Sequence, residues 1–182
     1  EHTGGFSSFF DVFAGTASVS KAAIPYVDKI IMNDFLSSNN IIYQAFFAEG
    51  IYDVGKLYSI IEYYNSINPD SVKDNYFSDN FGDKFFDYRN SKLIGYIRED
   101  IERKRYELTP KEYAILLASL IYSIDKIANT VGHFDAYIKK EIVYHPLSLQ
   151  LIRPLEPKEV EIHKEDSNML ARRVTADVAY ID

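Results

Sequence analysis

The first fifty residues alternate between dense apolar blocks and stretches of small or polar residues. Residues 8–13 (Ser-Phe-Phe-Asp-Val-Phe) form a block stopped by Ala14-Gly15-Thr16, the pattern of a buried strand that runs into a turn. Residues 17–23 are small and helix-compatible, and Pro25 ends them. A second block at 27–32 predicts a second strand, closed by Asn33-Asp34. Ser37 or Ser38 then stands ready to cap a helix reaching about Ala48. The order strand, helix, strand, helix predicts a βαβ unit and a parallel sheet.

The pattern changes after residue 50. Apolar residues recur at helical spacing over 51–64, and 65–80 is polar and turn-rich. Residues 87–106 read as a charged surface helix with Leu93, Ile94, Ile97 and Ile101 on one face. Thr109-Pro110-Lys111-Glu112 is a helix start, with Thr as cap, Pro in the first turn and Glu three residues after the cap. That helix is expected to run to about Asn129, with a stripe wide enough to be buried. Strand patterns return at 147–152, 160–163 and 177–181, punctuated by Pro146, Pro154 and Pro157. The expected organisation is an α/β core from residues 1–50 and 141–182, interrupted by a helical insertion at 51–140.

Composition narrows the class. The 182 residues are 47% hydrophobic, enough for one core and too much for a disordered chain. Cysteine is absent, which excludes disulfides, thiolate metal sites and cysteine nucleophiles and fits a reducing compartment. No apolar run approaches the roughly 20 residues of a membrane span. Lys plus Arg number 20 against 27 Asp plus Glu, a net charge of −7, which argues against non-specific nucleic-acid binding. Basic residues gather at Arg98, Arg103, Lys104, Arg105 and Lys111, at Lys139-Lys140 and at Arg172-Arg173. The first group is interleaved with Glu99, Asp100 and Glu102, so a solvated helix face competes with phosphate contact. His2, His133, His145 and His163 lack metal-ligand spacing. The chain opens on Glu1 rather than Met and closes on a strand, so it is expected to be cut at the start and truncated at the end.

Four constellations carry candidate chemistry. The first is 11–18, Asp-Val-Phe-Ala-Gly-Thr-Ala-Ser. There a strand ends, Gly15 permits a tight turn, and small residues let a ligand approach the next helix, as at a nucleotide site on the carboxyl edge of a parallel sheet. An ordinary strand-to-helix turn explains it equally well. The second is Asn33-Asp34, where Asp34 stands about 20 residues after the glycine turn, the spacing of a ribose-binding acid, although strand-end acids also start helices. The third is Glu165-Asp166-Ser167-Asn168, an acid able to accept from an exocyclic amine, or a helix cap. The fourth is 176–182, a strand that delivers Asp182 to the sheet edge.

In that order these segments resemble the D12 class (Dam-like, α-group) of DNA adenine N6-methyltransferases. Residues 11–19 look like its cofactor motif, Asn33-Asp34 its ribose acid, and 165–168 the acid before its catalytic strand. Residues 178–182 look like the strand leading into Asp-Pro-Pro-Tyr. Residues 128–137 also look like a segment found in one branch of these enzymes. The resemblance implies a Rossmann-like methyltransferase sheet binding S-adenosylmethionine, with double-stranded DNA as partner and no membrane. It also implies a cytoplasmic bacterial or archaeal restriction-modification role. Under it, Asp182 is the catalytic acceptor for the target N6. Asp11, Phe13, Ala14, Gly15, Thr16, Asp34 and Asp166 are cofactor-binding. In such enzymes the base is flipped from the duplex into a pocket. The chain departs from the family pattern at three points. Ala17 stands where the family has a second glycine. The family's N-terminal lysine segment would precede Glu1. The two prolines and the aromatic residue would follow Asp182. The chain alone is therefore expected to be inactive. Two rival readings are a non-catalytic cofactor- or DNA-binding subunit completed by a second chain, and a nucleotide-binding oxidoreductase that holds ribose with Asp34.

Overall fold

A computed structural model describes residues 6–132, 134–139, 142–155 and 157–182. His2, His133 and Lys140, singled out above, lie outside them. In chain order the elements are β1 (Ser8–Asp11), α1 (Ser18–Ala23), β2 (Lys29–Asn33), α2 (Ser37–Phe46), α3 (Val54–Ser66), α4 (Tyr76–Phe81), α5 (Tyr88–Arg103), α6 (Pro110–Asp125), β3 (Glu159–His163), α7 (Ser167–Ala171) and β4 (Val178–Tyr180). They divide into two compact units, Glu1–Gly50 with Arg153–Asp182, and Ile51–Ile152. No helix among the described residues is long and apolar enough to cross a membrane.

The first unit is an α/β arrangement. Its four strands are all parallel, in the order β3-β2-β1-β4. The dense apolar blocks became the two central strands, buried on both faces as parallel sheets require. The edge strands β3 and β4 are only half-buried. Phe10, Val12, Ile31 and Leu170 pack as one core cluster. β1 stops at Asp11 rather than running to residue 13. The Val12 amide still donates to the Tyr180 carbonyl (3.1 Å), but the Ala14 amide turns to the Asn33 carbonyl (2.8 Å). Neither Ser37 nor Ser38 caps α2. Its N-cap is Leu36, whose amide donates to Asp34 Oδ1 at 2.8 Å. A staple ties the starts of β1 and β4. One oxygen of the exposed Asp177 carboxylate accepts from the Ser7 and Ser8 amides and hydroxyls at 2.8–3.0 Å. These donors hold its carboxyl down at about 2.

The second unit is helical. Leu93, Ile94, Ile97 and Ile101 are buried along α5. Thr109 and Glu112 close the expected capping box on α6. Burial alone would push the Glu112 carboxyl up. Lys56 and the amides of Thr109 and Asp53 hold it below the usual range. Within the stretch read as polar turns, Asn75 and Ser78 form a second capping box and start α4, and the Phe77 ring sits 4.7 Å from Phe81 and 5.6 Å from Phe86. α5 and α6 end earlier than their patterns suggest. After α5 the chain tightens into a 3₁₀ turn at Lys104–Glu107.

Residues 147–152 do not form a strand. Leu147 and Leu149 are buried and their neighbours exposed, so the alternation is real, but side chains satisfy the backbone. Asn90 Oδ1 accepts from the Leu147 amide (3.2 Å), and Asn65 both accepts from the Leu149 amide (2.8 Å) and donates to its carbonyl (3.0 Å). Ser123 and Ser119 hydroxyls accept from the amides of Gln150 and Ile152, both at 3.1 Å. The basic cluster is largely neutralised in place. Arg98 and Arg105 pair with Glu102, Arg103 and Lys104 pair with Asp100, and Lys111 is buried. The arginines stay half-exposed within these pairs, as on a charged helix face.

Candidate functional site at the carboxyl edge of the sheet

All four strands deliver their carboxyl ends to one edge of the first unit. The loops there follow from two residue choices. Gly15 takes φ +52°, a left-handed conformation that glycine adopts freely. Ala17 is also left-handed at φ +60° and is the N-cap of α1. Between them the chain reverses tightly, with the Ala17 amide donating to the Ala14 carbonyl at 2.6 Å.

Asp34 and this turn meet directly. The Gly15 amide donates to Asp34 Oδ2 at 3.0 Å, while Oδ1 takes the Leu36 amide. Each carboxylate oxygen keeps acceptor capacity beyond these bonds, so the half-buried group can take two further donors, such as a vicinal diol. The fully buried Tyr43 of α2 donates its hydroxyl to the Gly15 carbonyl at 2.6 Å, close to the Asp34 carboxylate.

Asn33 is the hub of the edge. The two hydrogens of its side-chain amide are shared among the Val12 carbonyl (3.3 Å), the Glu165 carbonyl (3.1 Å) and the Ser167 hydroxyl (3.1 Å), and its oxygen accepts from the Glu165 amide (3.1 Å). One buried side chain thus ties the end of β2 to the segments after β1 and β3. Asp166 stands between two of the tied residues. Its carboxylate caps α7 by accepting from the Met169 amide at 3.0 Å, and the group is solvent-exposed. Asp182 follows β4, the neighbour of β1, and accepts from the Tyr180 hydroxyl at 2.9 Å, which raises the Tyr180 phenol above its ordinary range.

The other sequence candidates lie on the same loop. Phe13 is half-exposed, Thr16 is exposed and shares a hydrogen bond with Ser18 (2.8 Å), and Ala14 is buried. Asp11 differs from them, being 1% exposed, with its carboxylate taken by the Ser20 hydroxyl at 2.6 Å. Burial pushes its carboxyl up, against the hydrogen bonds from Ser20 that hold it down. It braces α1 from beneath. The exposed Phe35 and Leu36 flank Asp34. Sequence reasoning noted Asn33 only as a strand end and passed over Tyr43. The one available signal for Tyr43 was a phenol among the apolar residues of a helix that packs behind a glycine turn.

Comparison with known proteins bears on this edge. The family model described as D12 class N6 adenine-specific DNA methyltransferase matches residues 2–182. The chain is 27% identical to Type II methyltransferase M.CviAII of Paramecium bursaria Chlorella virus 1, over 97% of the chain and 55% of that protein. It is also 27% identical to Type II methyltransferase M.NlaIII of Neisseria lactamica, over 96% of the chain and 54% of that protein. The chain therefore spans about half the length of these curated relatives. No solved structure matches it. The match runs through every loop of the sheet edge just described, and the chain belongs to the D12 class N6 adenine-specific DNA methyltransferase family.

Proposed function

We propose that the carboxyl edge of the first unit binds S-adenosylmethionine for methylation of adenine N6 in double-stranded DNA, as the modification part of a restriction-modification system. The observation that carries the reading is the Gly15 amide on the Asp34 carboxylate, a turn and an acid already assembled beside each other. When bound, the cofactor supplies a sulfonium methyl group. Asp34 accepts from the ribose hydroxyls, and Asp166 accepts from the exocyclic amine of the cofactor's adenine. Phe13, Ala14, Gly15 and Thr16 line the methionine side, and Asp11 holds α1 behind them. Asp182 accepts the hydrogens of the target N6, whose lone pair is otherwise delocalised into the ring. Residues 51–140 are the part assigned to target recognition.

Charge separates this reading from an oxidoreductase. Asp34, Asp166 and Asp182 surround the edge with carboxylates, which favour a cationic sulfonium and oppose a pyrophosphate. The test is a calorimetric titration of the chain with S-adenosylmethionine and with NAD. Saturable binding of the first alone is expected, with Asp34→Asn weakening it by about tenfold or more. Binding of NAD in preference would overturn the reading. With a polypeptide that continues through the Pro-Pro-Tyr segment, tritiated cofactor and duplex DNA, label on adenine N6 that Asp182→Asn abolishes would support the catalytic assignment, and label on cytosine or label unaffected by Asp182→Asn would refute it.

A further inference from the structure

The geometry points to Tyr43 as a positioning residue for cofactor binding, one that restrains Gly15 through its carbonyl while Asp34 restrains it through its N–H. This rests on the cofactor reading above. Gly15 is held at both backbone groups by side chains from distant positions, its N–H by Asp34 and its carbonyl by the Tyr43 hydroxyl. A glycine has little conformational preference of its own at φ +52°, so without restraint its peptide would sample many orientations. Two hydrogen bonds, one on each backbone group and one of them from a ring with no exposed surface, remove that freedom before any ligand arrives.

The chemistry of the phenol suits a permanent donor. It is anchored in the middle of α2, where Ile42 and Ala45 are also buried, so the ring has no room to swing away. Burial and the nearby carboxylates of Asp34 and Asp11 raise it above the ordinary tyrosine range, so it stays protonated and donating at any physiological pH. A neutral donor also serves this place better than a cation would, because it restrains the carbonyl without neutralising Asp34 in its ribose role.

The experiment is a set of titrations of the 182-residue chain with S-adenosylmethionine at a temperature where every variant is fully folded by circular dichroism. Tyr43→Phe keeps the ring and removes only the hydroxyl. It is expected to raise Kd about three- to tenfold, the span of one neutral hydrogen bond. Ile42→Val is the control. It loosens the same helix by a comparable amount without touching Gly15, and its Kd should match the parent. Equal Kd for Tyr43→Phe and parent, or equal losses in both variants, would overturn the assignment. In the parent chain the double restraint also predicts slow amide hydrogen exchange at Gly15 before ligand is added, and exchange at the rate of an open loop would overturn it without any variant. A parent chain that fails to bind the cofactor would instead strike the functional reading itself.

Discussion

Both units contain backbone that runs extended, and they satisfy it by different means. In the first unit, β1 to β4 pair with one another through parallel ladders. In the second, residues 147–152 have the same inward and outward alternation, yet Asn65, Asn90, Ser119 and Ser123 supply the hydrogen bonds that a neighbouring strand would. Asn65 comes closest to imitating one, since it meets both the N–H and the C=O of Leu149. A backbone ladder is indifferent to most side-chain changes. A ladder of side chains fails when any one of a few residues is replaced. The sheet edge also has one such dependence, at Asn33.

Substitutions can break or sharpen that contrast. The largest effect is expected from Asn33→Ala, which takes a partner from the buried Val12 carbonyl and from both the N–H and the C=O of half-buried Glu165. Urea unfolding should show a loss of about 3 kcal/mol, and titration should show cofactor affinity falling more than about tenfold. Next comes Asn90→Ala, which removes the partners of the Leu147 amide and the His145 carbonyl. It is expected to lower stability by about 2 kcal/mol and to leave cofactor affinity unchanged. An equal loss of affinity would dissolve the distinction between the units. Gly15→Ala should cost about 1–2 kcal/mol from the left-handed backbone alone, because the added methyl would meet only the Phe13 carbonyl at ordinary contact distance.

The smallest effect concerns the Asp177 staple and shows in its pH dependence. The carboxyl is depressed to about 2 in the folded chain, below its unfolded value. Its contribution is therefore complete above about pH 4 and is lost as pH falls from there through 2. The gap in urea midpoint between the parent and Asp177→Asn should shrink over that interval. A gap that stays constant from pH 5 to 2 would mean the four serine donors do not favour the charged form.

The sequence made the sheet edge more legible than the insertion, for physical reasons. Central parallel strands need apolar residues on both faces, so the blocks around Phe9-Phe10 and Ile30-Ile31 announced themselves. The glycine turn and Asp34 were legible because a fixed spacing links them. Residues 147–152 misled because alternation reports an extended chain and says nothing of who bonds to it. α4 is short and was masked by surrounding polar residues, though its Asn75-x-x-Ser78 start was a usable signal. Asn33 and Tyr43 act through backbone groups of remote segments. No local pattern encodes such partners.

One feature of the chain order bears on how the molecule is made. β3 joins the sheet beside β2, as in the Lys29–Glu161 contact, across 132 residues. On a ribosome that adds about 5–20 residues per second, β1 and β2 would wait on the order of ten seconds with both outer edges bare. During that interval the nascent sheet is most open to unwanted pairing with other chains. Slower translation of the intervening stretch would lengthen the exposure, and a chaperone that covers strand edges would have its chief opportunity then.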